Sequence, residues 1–222
     1  MRREVGAELR NLVSGRVGIA DGVLPPILFV LVNAVWGLTP AAMAGLGAAL
    51  AITLFRLARG RPVRFAIAGL AGTAIAVVFA IRSESAESYF LPGIISGVLT
   101  TAVLIVSVPL KRPAVAFTSW ITRGWPLEWY WHPKIRPAYA RATLIWAVFF
   151  GVRTAVQWRL FLDGEVEWLG LVRVGLGWPA LLILLIGTYL LGRRWLIDLG
   201  GPSVEEFRQG SPAPWSGQRT GF

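Results

Sequence analysis

Cysteine is absent from this chain, which removes disulfides, thiolate nucleophiles and Cys-ligated metals or clusters from consideration. Histidine occurs once, at His132, so zinc or haem chemistry built on clustered imidazoles has no ligand set, and neither a metal site nor a cofactor is expected. No Ser-His-Asp arrangement is evident around His132, and no phosphate-binding Gly-Lys-Ser/Thr loop occurs. Paired carboxylates inside an apolar run, as a proton-coupled pump would use, are also missing. No catalytic residue is nominated, and an enzyme is not expected. Charge itself is scarce: charged residues are 15% of the chain, against about a quarter in ordinary soluble domains.

Apolar residues fill the gap, at 55% of 222 residues. They collect into six runs, about 23–37, 41–55, 65–81, 89–110, 142–162 and 168–192. Lys and Arg, counted gap by gap from the N-terminal segment, number four, none, four, one, six, none and four; Arg153, Arg159 and Arg173, within or at the ends of runs, complete the 22. Cytoplasmic loops retain positive charge and translocated loops do not, so this alternation predicts six transmembrane helices with both termini in the cytoplasm. The fold class expected is all-α, a polytopic six-helix bundle. Long apolar runs without period-two alternation exclude a transmembrane β-barrel. The net charge of +10 is parcelled out between runs instead of lining one face, so it points to anionic lipid headgroups and not to nucleic acid.

Three segments flank or interrupt the bundle. Residues 1–21 carry Arg2, Arg3, Arg10 and Arg16 with apolar residues at roughly helical spacing, which suits a short amphipathic helix or a basic tail. Asp21 is placed to cap the first span, with Pro25 and Pro26 in its first turn, and Thr39-Pro40 reads as the turn into the second. Residues 201–222, rich in Gly, Pro, Ser and Gln, are expected to be disordered. Between the fourth and fifth runs, Trp120, Trp125, Trp129, Tyr130, Trp131 and Tyr139 crowd among Pro, Lys and Arg. Amphipathic rings favour the headgroup layer, so this stretch is expected along the inner leaflet as one or two short helices broken at Pro126 and Pro133. Its rings serve either as an aromatic belt or as a docking surface for a partner or lipid.

Small residues let helices approach closely in lipid, and Gly93 with Gly97 forms such a packing pair. The sharper signal is Arg153. It lies about twelve residues from Arg141 and ten from Asp163, roughly 15–18 Å from either rim of its helix. A guanidinium at that depth costs at least about 2.5 kcal/mol, and no carboxylate lies deep in any run to compensate. Trp146, Phe150, Arg153 and Gln157 share a helical face, with Thr154 beside it; Asn33 is deep in the first run. Convergence of Arg153, Gln157, Asn33 and Thr154 would make either a structural hydrogen-bonded knot or a site for an anion; Arg153 facing lipid is the third alternative.

Certain stretches carry a family resemblance. Lys111-Arg112-Pro113, Leu144, Trp146, Ala147, Phe149 and Phe150, with Gly175-Leu176 and Gly187-Thr188-Tyr189, resemble parts of the bacterial intracellular septation protein A family, as does the Asp21-Gly-Val-Leu-Pro25 lead-in. With Asp21, Asn33, Arg153 and Gln157, the chain from about Asp21 to Arg194 looks closer still to the actinobacterial family catalogued as domain of unknown function 3159. The resemblance implies a multi-pass protein of the bacterial inner (plasma) membrane, associated with septation and wall synthesis. Arg153 departs from the uncharged fifth span of the septation proteins. Two functions follow as expectations. One is a non-enzymatic envelope protein presenting Trp120–Tyr139 and the basic loop Arg56–Arg64 to envelope or division proteins or to lipid. The other is a small transporter or channel subunit holding an anionic or polar solute near Arg153.

Overall fold

In the computed structural model, residues 19–60 and 64–222 are described, and among them every regular element is helical. The N-terminal amphipathic segment expected over 1–21 lies almost wholly outside them, as do residues 61–63 of the basic loop. The helices are α1 (Ile19–Trp36), α2 (Leu38–Ala58), α3 (Arg64–Arg82), a 3-10 turn (Glu87–Phe90), α4 (Leu91–Ser107), α5 (Ala114–Arg123), α6 (Leu127–Trp131), α7 (Arg136–Leu162), α8 (Val166–Gly175), α9 (Trp178–Leu199) and α10 (Val204–Arg208).

Three stretches are long and apolar enough to cross a membrane: Leu38–Ala58, Glu87–Ser107 and Val166–Leu199. Val23–Trp36 and Ala66–Arg82 are apolar but shorter. Apolar side chains along these helices face outward, Leu31, Met43, Leu99, Val103 and Ile183 among them. That much exposed apolar surface has no place in water, and the chain is a membrane protein. α7, expected as the fifth crossing, differs from the other long helices in carrying Arg136, Arg141, Arg153 and Arg159 along its length.

Several local expectations change. α1 already runs from Ile19, so Asp21 lies within it, and Pro25 and Pro26 are inside the helix, not in its first turn. The turn into α2 is Gly37, whose φ of 80° favours glycine, with Thr39 and Pro40 in the first turn of α2. The run 168–192 is two helices, because the chain breaks at Leu176 and Gly177. A Cβ on Gly177 would lie 2.6 Å from the Arg173 carbonyl oxygen and 3.1 Å from that of Val174, so the break has room only for glycine. α3, α4 and α7 end alike. The N–H of Ser85, Arg112 and Glu165 reaches back to the carbonyl of Ala80, Ser107 and Leu160, and that of Glu84, Lys111 and Gly164 to Ile81, Val108 and Phe161. This is the Schellman pattern, and its left-handed residues are Glu84, Lys111 and Gly164.

The described residues sort into two compact units. The first holds those up to Ile94 together with Gln157–Trp178; the second holds Ile95–Val156 with Pro179–Phe222. In the first, α1 packs on α2, α3 and α8, and α3 packs on the 3-10 turn. Its core is Phe29, Ala41, Ala42, Ala76, Val77, Ala80, Tyr89, Phe90, Ile94 and Leu169. Alanines dominate on α2 and α3, so the backbones come close and the volume is filled by three rings. Phe29 stacks on Tyr89 at 4.0 Å, and Phe90 meets both edge-on.

The second unit has an aromatic core of Trp129, Tyr130, Tyr139 and Phe222 with Ala116, Ile135, Ala138, Ala142, Leu196 and Val204. The aromatic connection forms two short helices, α5 and α6, separated by Gly124-Trp125-Pro126. The segment 201–222, expected to be disordered, is folded onto this core. Phe222 stacks on Tyr139 at 4.4 Å. Trp129 donates from Nε1 to the Pro202 carbonyl at 2.9 Å, and Arg123 from Nε to the Phe222 carbonyl at 2.8 Å. Ser203 and Glu206 close a capping box on α10. Composition predicts disorder only when a segment has too little apolar surface to bury; here Val204, Phe207 and Phe222 find aromatic partners far away in sequence.

Candidate functional site

The first unit contains a cavity of about 270 Å³ lined by Pro26, Gly69, Gly72, Thr73, Ala76, Tyr89, Pro92, Gly93 and Arg173. Its cation is Arg173, carried by α8 seven residues past the helix start, about 10 Å along the axis. α8 reaches this position through Gly170, where a Cβ would lie 2.7 Å from Cγ2 of Val30 on α1. The guanidinium then lies over Gly93 of α4, where a Cβ would be 2.9 Å from Nη1. It also sits 5.8 Å from the centroid of Phe90, a cation–π distance. Two glycines thus bring a long cationic side chain inside an otherwise small-residue bundle.

Two hydroxyls share the cavity. Thr73 donates to the Gly69 carbonyl at 2.9 Å, which spends its proton and leaves its oxygen as an acceptor. Tyr89 interacts electrostatically with Arg173 and through a side-chain hydrogen bond with Thr73. Its ring is fixed by Phe29 and Phe90, so the phenol is held in position. Arg173 can only donate, and Tyr89 can donate one proton; among the described residues no carboxylate forms an ion pair with Arg173. A pocket with a half-buried cation, a tyrosine hydroxyl and walls of Pro, Gly and Ala is suited to the charged end of an anion.

The residues nominated from sequence fall elsewhere. α7 carries Arg153, Thr154 and Gln157; Thr154 and Gln157 are buried, and Arg153 is half-buried. Asn33 is half-buried on α1, and its backbone carbonyl accepts the Gly37 N–H at 3.1 Å. Asn33 and Gln157 belong to the first unit, Arg153 and Thr154 to the second, so neither unit by itself contains the four-residue cluster. Gly97 does pack a helix: the Thr154 side chain of α7 sits against it. Gly93, paired with it in sequence, makes room for Arg173 instead. Of the four tryptophans offered as a partner surface, Trp120 is exposed and Trp125 and Trp131 are partly buried. Trp129 is wholly buried, ringed by Trp125, Tyr130 and Tyr139, and cannot face a partner. Arg56, which opens the basic loop expected to meet partners, is also buried.

In the sequence Arg173 lies five residues into an apolar run and does not stand out from the charges at run ends. The signal available was Gly170, three residues before it and on the same helical face.

A family model described as "Protein of unknown function (DUF3159)" matches residues 13–196. No curated protein and no solved structure matches the chain. The resemblance to septation protein A is not shown by these comparisons.

Proposed function

Since the chain belongs to that family of unknown function, its role rests on its own site, and we propose that it is a non-enzymatic membrane protein that accepts an anionic solute at Arg173, as a small transporter or a channel subunit. In this reading the chain crosses the bacterial inner membrane six times with both termini cytoplasmic, which the alternation of basic gaps supports. The observation that carries the proposal is a guanidinium lining a cavity with no carboxylate paired to it among the described residues. An arginine within a membrane helix is costly, and that cost is offset when an anion supplies the missing charge. The discontinuity at Leu176–Gly177, one turn after Arg173, adds support, because interrupted helices recur at the solute sites of secondary transporters.

The envelope-scaffold alternative relied on the aromatic segment as a protein-facing surface, and the burial of Trp129 removes the centre of that surface. The test is thermal unfolding of the purified protein across a panel of chloride, acetate, benzoate and inorganic phosphate, followed by flux into proteoliposomes. At least one anion is expected to raise the Tm of the wild type and of Arg153→Gln, with no response from Arg173→Gln. If the response is retained by Arg173→Gln, or no anion shifts the wild type, the proposal is wrong.

A further inference from the structure

α5 begins where an apolar membrane-length stretch ends. Ala114, its first residue, donates its N–H to Ser107 Oγ, on the last residue of α4, at 3.1 Å. Between them the chain turns through Lys111, whose φ of 57° is left-handed, and the turn is closed by the Schellman bonds from Lys111 and Arg112. The same end of α5 is tied to a second helix, since the Val115 N–H donates to Thr143 Oγ1 of α7 at 3.3 Å. If the Glu87–Ser107 stretch crosses the bilayer, these bonds start α5 at its rim.

The two faces of α5 differ sharply. Ala116 and Ser119 are buried against the aromatic core. Phe117, Trp120 and Ile121 follow at spacings of three and one, share the opposite face, and are 38%, 40% and 73% exposed. Leu110, just before the helix, is 66% exposed. Cations border this apolar face: Lys111 and Arg112 are both exposed at the N-terminal end. The Arg112 guanidinium lies 4.5 Å over the Trp131 ring, and Trp131 in turn packs on Phe117 at 5.2 Å. Arg141 over Trp195 and Lys134 over Trp215 repeat the pairing of cation and ring in the same unit. A helix with an outward apolar face, an indole at its edge and cations beside it is suited to the boundary between acyl chains and headgroups.

We infer that α5 is an in-plane docking helix for anionic phospholipid: Leu110, Phe117, Trp120 and Ile121 enter the acyl boundary while Lys111 and Arg112 bind headgroup phosphates. Anionic lipid is chosen over a protein partner by charge and by position. The cations sit at the end of a membrane-length helix, where a leaflet presents phosphate to them, and the apolar residues point outward in one strip. Clustered cations next to a crossing helix recognise acidic lipids through their summed charge. This site is separate from the Arg173 cavity and stands whether or not that cavity holds an anion.

Because the chain has no cysteine, Ile121→Cys in the full-length protein gives a unique thiol for an environment-sensitive fluorophore. In proteoliposomes the expected signal is blue-shifted emission, quenched by lipid-borne nitroxide and protected from aqueous iodide. Lys111→Gln and Arg112→Gln are each expected to lower the phosphatidylglycerol retained through purification about five-fold against phosphatidylcholine. Water-like emission with iodide access would overturn the inference, as would protection from both quenchers, which would mean that protein covers the face. Immersion with equal retention of both lipids would overturn the headgroup assignment. Phe117→Cys, labelled in the same way, supplies the reading if the first variant fails to fold.

Discussion

The two units solve opposite problems with arginine. In the first, the Arg173 guanidinium lines a cavity whose other walls are mostly small: Gly69, Gly72, Gly93, Pro26, Pro92 and Ala76. In the second, several cations lie over large rings, Arg112 on Trp131, Arg123 on Trp125, Arg141 on Trp195 and Lys134 on Trp215. Space is left around Arg173 and filled around the clustered cations of the second unit. A cation that packs on an indole is stabilised by the ring's quadrupole, and only an exposed one such as Arg112 keeps a side open to a headgroup. Arg173 also has Phe90 at 5.8 Å, but the glycines leave cavity space beside it for a ligand. Inside a membrane protein, then, the neighbours of an arginine say more about its role than its depth does.

The aromatic unit gives the largest expected effect. Trp129 is fully buried and bonded to the Pro202 carbonyl, so Trp129→Ala should cost about 3–5 kcal/mol and detach the 201–222 segment. Limited proteolysis near Phe207 would report the release. If Trp129 were a partner-facing ring, the variant would keep its tail protected and its Tm unchanged. Trp120, at 40% exposure on α5, is the internal control: Trp120→Ala should leave the tail docked.

The small-residue unit should respond less to a change of similar kind. Gly170→Val brings a Cβ to within 2.7 Å of Val30 and pushes α8 off α1. Overpacking of this sort costs about 1–3 kcal/mol, and it displaces Arg173 without altering it. A fall in Tm together with a lost anion response would tie the site to the α1–α8 approach. Retention of the response would mean the guanidinium reaches its position independently of that approach.

How far these contrasts could be read beforehand depended on range. The apolar runs predicted α2, α3 and α4 to within a few residues, because apolar periodicity and short polar gaps are local properties. Pro126 marked the division between α5 and α6 for the same reason. The Arg173 cavity and the folded tail were missed because each depends on contacts between residues far apart in sequence. Nothing near Gly93 announces that Arg173 lies over it, some eighty positions on, and nothing in Gly201–Phe222 announces that Tyr139 is available to stack on Phe222. The break at Leu176–Gly177 was hidden by hydropathy, which is as high across it as within a helix.

A substitution at the α4–α5 turn should have a smaller effect, and with the opposite sign. Lys111 occupies a left-handed position that glycine adopts without steric cost. Lys111→Gly should therefore raise stability by up to about 1 kcal/mol while removing one of the two cations proposed to hold lipid. A higher Tm together with weaker retention of phosphatidylglycerol would separate the residue's charge from its backbone strain. A lower Tm would mean that the lysine side chain contributes more to the turn than the strain takes away.

The smallest effect concerns how the tail is fastened. Glu206 accepts the Ser216 N–H at 2.8 Å, and the Ser203 N–H and hydroxyl at 2.8 Å each. Those bonds, the one from Ser216 first, hold its carboxyl down to about 2. A carboxyl depressed in the folded state stabilises that state above its unfolded value, about 4.3, and loses the contribution as pH falls through the folded value. Tail docking should therefore be insensitive to pH from 8 down to about 5 and weaken from about 4.3 toward about 2. Glu206→Gln should flatten that window while leaving Phe222 stacked at neutral pH, because the Trp129, Tyr139 and Arg123 contacts do not involve a carboxylate. If the tail is instead released near pH 6, the group responsible is not Glu206. His132, whose ring meets Trp215 and Phe207 edge-on, would then be the residue to substitute, although burial and the neighbouring Lys134 both hold its pKa below the usual imidazole value.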